Sequence, residues 1–414
     1  MREAEVRSLG AIAAASIARP STVARDVHGA VAGRVFSLLG PLGIAARAVH
    51  DRASRVAYGG VAAALPLIPR AAGAAAARVS GADARALADS QSGSLALAAL
   101  NGFAGDRLAR DHPALALELG LRERGRSVAV EPVALVAAYP DATERLVVFV
   151  HGLCETEGAW SLGVPGGVRR PTYGELLREE LGFTPLHVRY NTGLHISDNG
   201  RRLASTLESV VQAWPVEARE IVLIGHSMGG LVLRSACHYG ARAGHAWTER
   251  VRHVVCLGSP HLGAPLERAA NVAGWTLSRL PEMRPFADLF LNDRSAGIKD
   301  LRFGNCVEED WCDCDPDEFL RDRCREVPFL EDASYYFVAA TLSRSSDGVG
   351  GLVGDLLVHH ASASGRGRRR RIGFAEENGR HLPRAHHLQL LNHPGVHEAL
   401  RGWLATERVP LPEA

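Results

Sequence analysis

The sequence predicts an α/β fold with a mostly parallel central sheet, helices on both faces, and a helical segment ahead of it. Three observations lead there. Beyond Arg124, short β-branched runs alternate with helical stretches, as when parallel strands are buried on both faces. One of these runs ends in a glycine-rich turn that opens a helix. Composition also changes near residue 140, since all six Trp and all seven Cys lie beyond it while the first 140 residues are rich in Ala, Val, Gly and Leu. Two kinds of structure are therefore expected, a helical N-terminal segment over 1–125 and an α/β domain over 126–408.

Taken in order, Pro41, Pro66 and Pro69 break the alanine-rich stretch from Ala24 to Ser80 into short helices. Val128 to Ala138 and Arg145 to Val150 read as two strands flanking the turn-rich Pro140-Asp141-Ala142-Thr143. Pro185 to Tyr190, Glu220 to Ile224, Val251 to Leu257 and Tyr335 to Thr341 supply four more strands. A helix from about Asp198 to Trp214 and another after Ser227 separate them, and Pro394 starts a closing helix through Leu404. Residues 266–334 form a lid-like insertion before the last strand, with Val272, Trp275, Leu277, Leu280, Met283, Phe286, Leu289 and Phe290 in its first half. At the rim of a site they suit a lid or acyl-binding cap, and extra core helices are the other reading.

Composition excludes several function classes. Among 47 basic residues the single lysine is Lys299, so no phosphate-cradling G-K-[ST] loop exists and Schiff-base chemistry would rest on one residue. The net charge of +1 gives no global field for nucleic acid, and the run Arg366, Arg368 to Arg371 reads as a solvated loop. The longest stretch without charges, Ser90 to Gly105, opens on polar residues and falls short of a membrane span. Glu3 and Glu5 cancel the basic start a secretory signal needs, so a cytoplasmic protein is expected. From Arg19 to Arg78, however, eight arginines face only Asp26 and Asp51. Those helices either pack on the domain or lie on an anionic bilayer, a peripheral membrane contact.

Chemistry concentrates at Glu220-Ile-Val-Leu-Ile-Gly225-His226-Ser227-Met228-Gly229-Gly230, an apolar strand, G-x-S-x-G, then a helix. A serine on so sharp a turn takes strained dihedrals, and glycines beside it keep Cβ atoms out of the way. Upstream, the strand Leu146 to Val150 ends in His151-Gly152-Leu153-Cys154. Its position brings backbone amides to the edge of the sheet where an oxyanion is stabilised, and the donors are expected at Leu153 and Met228. An acid and a base should follow in chain order. Asp347 and Asp355 both satisfy that order, and His386, His387 and His393 crowd the place of the base. Asp313, Asp315 and Asp317, with Cys306, Cys312, Cys314 and Cys324, lack the spacing of a calcium loop or a zinc site. Reduced thiols or one or two disulfides are expected there, and Gly348-Val-Gly350 lacks the third glycine of a dinucleotide fingerprint.

These motifs, with Leu257-Gly-Ser-Pro-His-Leu-Gly-Ala-Pro265 and His387-Leu-Gln-Leu-Leu-Asn-His-Pro394, resemble the α/β-hydrolase superfamily. Specifically, residues 126–406 look like the serine esterases and lipases related to the lipase-like domain of glycosylphosphatidylinositol inositol-deacylases. The resemblance implies the α/β-hydrolase fold, a nucleophile elbow and ester hydrolysis through an acyl-enzyme, with no metal and no organic cofactor. It also implies Asp355 as the acid, from Gly354-Asp355-x-x-Val358 and the following Ser362-Ala363, and His387 as the base before its Leu-x-Leu-Leu run. The catalytic triad is then Ser227, Asp355 and His387, and the substrate an ester or lipid with an apolar acyl part. An acyltransferase using the same triad, or a non-catalytic scaffold binding lipid or a partner, are the other readings.

Overall fold

The computed structural model describes residues 1–16, 67–79, 86–162, 170–265, 267–269, 271, 293–315, 318, 321–344, 354–367 and 370–405, with scattered positions between 25 and 55. The eight apolar residues that suggested a lid lie outside the described residues, as do Asp347 and most of the arginine-rich stretch from Arg19.

Among the described residues eight strands form one sheet in the order β2-β1-β4-β3-β5-β6-β7-β8. They are β1 (Gly120–Glu123), β2 (Arg126–Val128), β3 (Arg145–Val150), β4 (Thr184–Arg189), β5 (Glu220–His226), β6 (Val251–Leu257), β7 (Ser334–Thr341) and β8 (Gly379–Pro383). The hairpin β1-β2 lies antiparallel on β4, and the remaining neighbours are parallel. Alternation along β3 shows why these strands read as unbroken apolar runs. Leu146, Val148 and Val150 join the core on one face with Leu231, Leu203 and Leu207, while Val147 and Phe149 join the other with Tyr173, Leu177 and Leu400.

Helices of the chain, in order, include α1 (Leu67–Val79), α2 (Gln91–Asp111), α3 (Pro132–Ala138), α4 (Tyr173–Leu181), α5 (Ile196–Ala213), α6 (Met228–Ala243) and α7 (Pro394–Leu404), of which α3 to α7 contribute to the cores on the two faces of the sheet. Helix α4 carries a complete capping box, with Thr172 and Glu175 each satisfying the other's backbone N–H.

Several expectations need correction. Val128 to Ala138 is not a strand: the chain leaves β2 at Val128 and Pro132, preorganised for the first helical turn, starts α3. The sheet gains β8, so Tyr335 to Thr341 is the penultimate parallel strand and the insertion precedes it rather than the last one. The boundary at 125/126 cuts the β1-β2 hairpin, which belongs to the sheet from Gly120 onward.

Helix α2 of the N-terminal segment packs on the domain through small polar contacts. The Gly105 carbonyl accepts from Asn191 Nδ2 at 3.0 Å, the Gly102 carbonyl from Ser295 Oγ at 2.6 Å, and Arg107 pairs with Asp293 at 2.6 Å. Ahead of it, the buried Glu5 carboxylate accepts the Leu87 amide at 2.9 Å. Gly193 lets the α2 backbone approach closely, since a Cβ there would stand 2.1 Å from the Asn101 carbonyl and 2.5 Å from the Gly105 nitrogen. Neither is a flexible group. Gly193→Ala is therefore expected to lower stability by about 1–3 kcal/mol, read as a reduced urea midpoint at unchanged slope.

Candidate active site

Ser227 stands at the junction of β5 and α6 with φ 52° and ψ −121°, a conformation that side chains rarely adopt. Its amide donates to the Leu257 carbonyl on β6 at 2.8 Å, and its carbonyl accepts the Gly230 amide at 3.1 Å. Gly229 makes the turn sterically feasible, because a Cβ there would meet the Val150 carbonyl at 2.2 Å. Among its neighbours from Glu220 to Leu233, Ser227 is part-exposed where nearly all the others are buried. It faces a cleft of ≈ 1840 Å³ together with Leu153, Pro260, Val358 and His387.

The strand β3 ends beside it. After Val150 the chain turns so that the Glu155 amide donates to the Gly152 carbonyl at 3.3 Å, with Cys154 at φ 60°. A Cβ on Gly152 would be 3.0 Å from that of Ser227, so this turn and the elbow are in contact. Met228 is the first residue of α6, and its amide is one of those that a helix start leaves without an intrahelical acceptor. His151 is fully buried and its ring accepts the Tyr190 amide at Nε2 (3.4 Å), leaving Nδ1 to donate to the Gly152 carbonyl at 2.9 Å. Burial lowers its pKa, and a ring nitrogen that accepts the Tyr190 amide belongs to the neutral imidazole. Burial, reinforced by the Glu155 carboxylate, pushes the Cys154 thiol up to about 11. At neutral pH Cys154 is therefore a thiol, not a nucleophilic thiolate.

Opposite the elbow, Asp355 and His387 come together from the loops after β7 and β8. Asp355 Oδ2 is 2.7 Å from His387 Nδ1, and its Oδ1 accepts the amides of Leu357 (3.0 Å) and Val358 (2.8 Å). The pair is also joined through the backbone, the His387 amide donating to the Asp355 carbonyl at 3.1 Å. Both side chains are buried, and His387 Nε2 has no hydrogen-bond partner. His393 caps α7 by accepting the Gly395 amide at 3.0 Å, as its place before Pro394 suggested, and His386 is exposed.

Two residues of the site were not singled out in the sequence. Glu155 Oε2 accepts the Gly152 amide at 2.7 Å, and the same carboxylate pairs with His226 Nδ1 at 3.0 Å. The available signal was a carboxylate three residues after the His-Gly turn. Elsewhere, all seven cysteines are free thiols, and Asp310 gathers the amides of Cys306 (2.8 Å), Val307 (3.1 Å) and Arg325 (2.7 Å) as an ordinary loop anchor.

Sheet order, elbow and the loops at the carboxyl edge define an α/β-hydrolase fold. Residues 186–274, from β4 past β6 and including the elbow, match the family described as PGAP1-like alpha/beta domain. Among solved structures, the mature lipase BlEst2 of Bacillus licheniformis is 20% identical, with 63% of this chain and 91% of that one covered at a TM-score of 0.41. Its propeptide form is 19% identical, covering 72% and 55% at a TM-score of 0.43. A metagenomic carboxyl esterase is 16% identical, covering 63% and 76% at 0.37. No curated protein matches the chain.

Because the Asp355 carboxylate holds His387, Asp355→Asn is expected to cut ester turnover by about 10³–10⁴-fold. Asp347→Asn should leave it within about twofold of the unmodified protein. Steady-state kinetics on a short p-nitrophenyl ester separates the two aspartates.

Proposed function

We propose that this protein is a serine hydrolase that cleaves carboxylic esters through an acyl-enzyme on Ser227. The observation that carries the reading is the buried Asp355–His387 pair, whose open Nε2 shares one cleft with the strained serine. In the forward step Ser227 Oγ attacks the ester carbonyl as His387 Nε2 takes its proton, while Asp355 holds the Nδ1–H tautomer and balances the imidazolium. The amides of Leu153 and Met228 form the oxyanion hole, aided by the positive end of α6. His387 then gives the proton to the leaving alkoxide. Water repeats the sequence on the acyl-enzyme and frees the acid and Ser227. No step calls for a metal or an organic cofactor.

An apolar acyl part suits the cleft, whose walls include Leu153, Ile298, Leu301 and Leu388, with Leu95 and Phe103 from α2. The same triad would transfer the acyl group to an alcohol if one replaced water, and product analysis with added alcohols separates transfer from hydrolysis. Among the described residues no helix is long and apolar enough to cross a membrane.

Ser227→Ala should abolish hydrolysis of p-nitrophenyl butyrate while leaving the thermal melt near that of the unmodified protein. Unchanged turnover in that variant would sink the proposal. Phe103 is 62% exposed at the cleft rim. Its replacement by Ala should lower kcat/KM for long-chain esters by about tenfold, the worth of roughly two buried methylenes, with short esters unaffected. A uniform loss at every chain length would exclude α2 from the acyl wall.

A further inference from the structure

We propose that Glu155 and His226 act as a pair of positioning residues that share a proton, clamping the oxyanion turn and the base loop around Ser227, so that turnover requires His226 as an imidazolium. The inference rests on the serine-hydrolase reading above and extends it to residues outside the triad.

Hydrogen-bond chemistry carries the argument. His226 is fully buried, with Nδ1 3.0 Å from one Glu155 oxygen and 3.1 Å from the other, and Nε2 3.3 Å from the His387 carbonyl. An ionised carboxylate and a backbone carbonyl only accept, so both ring nitrogens must donate, and neutral imidazole has one N–H. The imidazolium satisfies both at once. Through it Glu155, which also takes the Gly152 amide at 2.7 Å, ties the oxyanion turn to the elbow and to the segment that carries the base.

The charges around this ring agree. Glu155 faces it from the oxyanion turn, the His387 ring lies 4.7 Å away between centroids with Asp355 behind it, the Trp160 ring packs at 6.4 Å, and the neutral His151 stands beyond Glu155. Burial alone would lower the pKa of His226, but the charge and hydrogen bond of Glu155 outweigh it and raise it. Burial would likewise raise Glu155, and the charge and bond of His226 with the Gly152 amide lower it. The imidazolium therefore persists below the raised pKa and is lost as pH climbs through it. Once it is lost, the Glu155 carboxylate is uncompensated beside the place where the oxyanion forms, and it opposes that charge at close range.

The test is the pH profile of kcat and of fluorophosphonate labelling for the unmodified protein and for Glu155→Gln, which keeps an acceptor for the Gly152 amide but no charge. The unmodified protein should lose rate on the basic side. In Glu155→Gln no carboxylate is left to oppose the oxyanion and the side-chain amide can donate to a neutral His226 ring, so the basic limb should flatten, with KM little changed. A lower kcat with an unmoved limb, or wild-type kinetics in the variant, overturns the proposal. If Glu155→Gln does not fold, the unmodified protein still decides, because a labelling rate that stays on a plateau until the protein unfolds overturns it too. Absence of any labelling would instead remove the serine-hydrolase reading beneath it.

Discussion

The chemistry proposed for this molecule depends on one backbone conformation, that of Ser227 at φ 52° and ψ −121°. Such a residue costs of order 1–3 kcal/mol and persists only where its surroundings over-determine it. Here β5 lies between β3 and β6 in parallel register, the Ser227 amide is held by the Leu257 carbonyl, and α6 begins at the next residue. The strain is thus supported by the most buried part of the sheet. It leaves the serine part-exposed at the foot of a cleft in a stretch of otherwise buried residues.

The other functional groups follow from the same topology. Parallel strands send their carboxyl ends to one edge, so the loops after β3, β5, β7 and β8 bring the proposed oxyanion turn, the elbow, Asp355 and His387 into one place. Short bonds join these loops to one another. Asp355 holds His387 by side chain and by backbone, and Glu155 and His226 bridge the turn, the elbow and the His387 carbonyl. The N-terminal helix α2 closes one side, which makes residues far ahead of the sheet part of the cleft wall.

How much of this could be read from sequence depended on the kind of signal. Strands β3, β5, β6 and β7 are largely buried and announce themselves as mostly apolar runs, and the elbow is legible because glycines are needed on both sides of the strained serine. Strand β8, Gly-Arg-His-Leu-Pro, sits at the edge of the sheet with one buried side chain, so it lacks both periodicity and β-branched residues. Helix α3 reads as a strand from sequence because its valines and alanines suit either state, and Pro132 settles the matter by opening a helix. The docking of α2 was illegible for another reason. It runs through Gly102, Gly105, Asn191 and Gly193, where contact depends on the absence of side chains rather than on hydrophobic pattern. Glu155 is not legible because a lone carboxylate in a turn looks solvated until the fold buries it against His226.

The central claim is that Ser227 is the nucleophile, and the most direct measurement is intact-mass analysis followed by peptide mapping after reaction with a fluorophosphonate. A single phosphonyl adduct is expected on the peptide containing Gly225-His226-Ser227-Met228-Gly229, assigned to Ser227 and absent in Asp355→Asn over the same exposure. An unlabelled protein that still hydrolyses esters, or an adduct on any other residue, would contradict it.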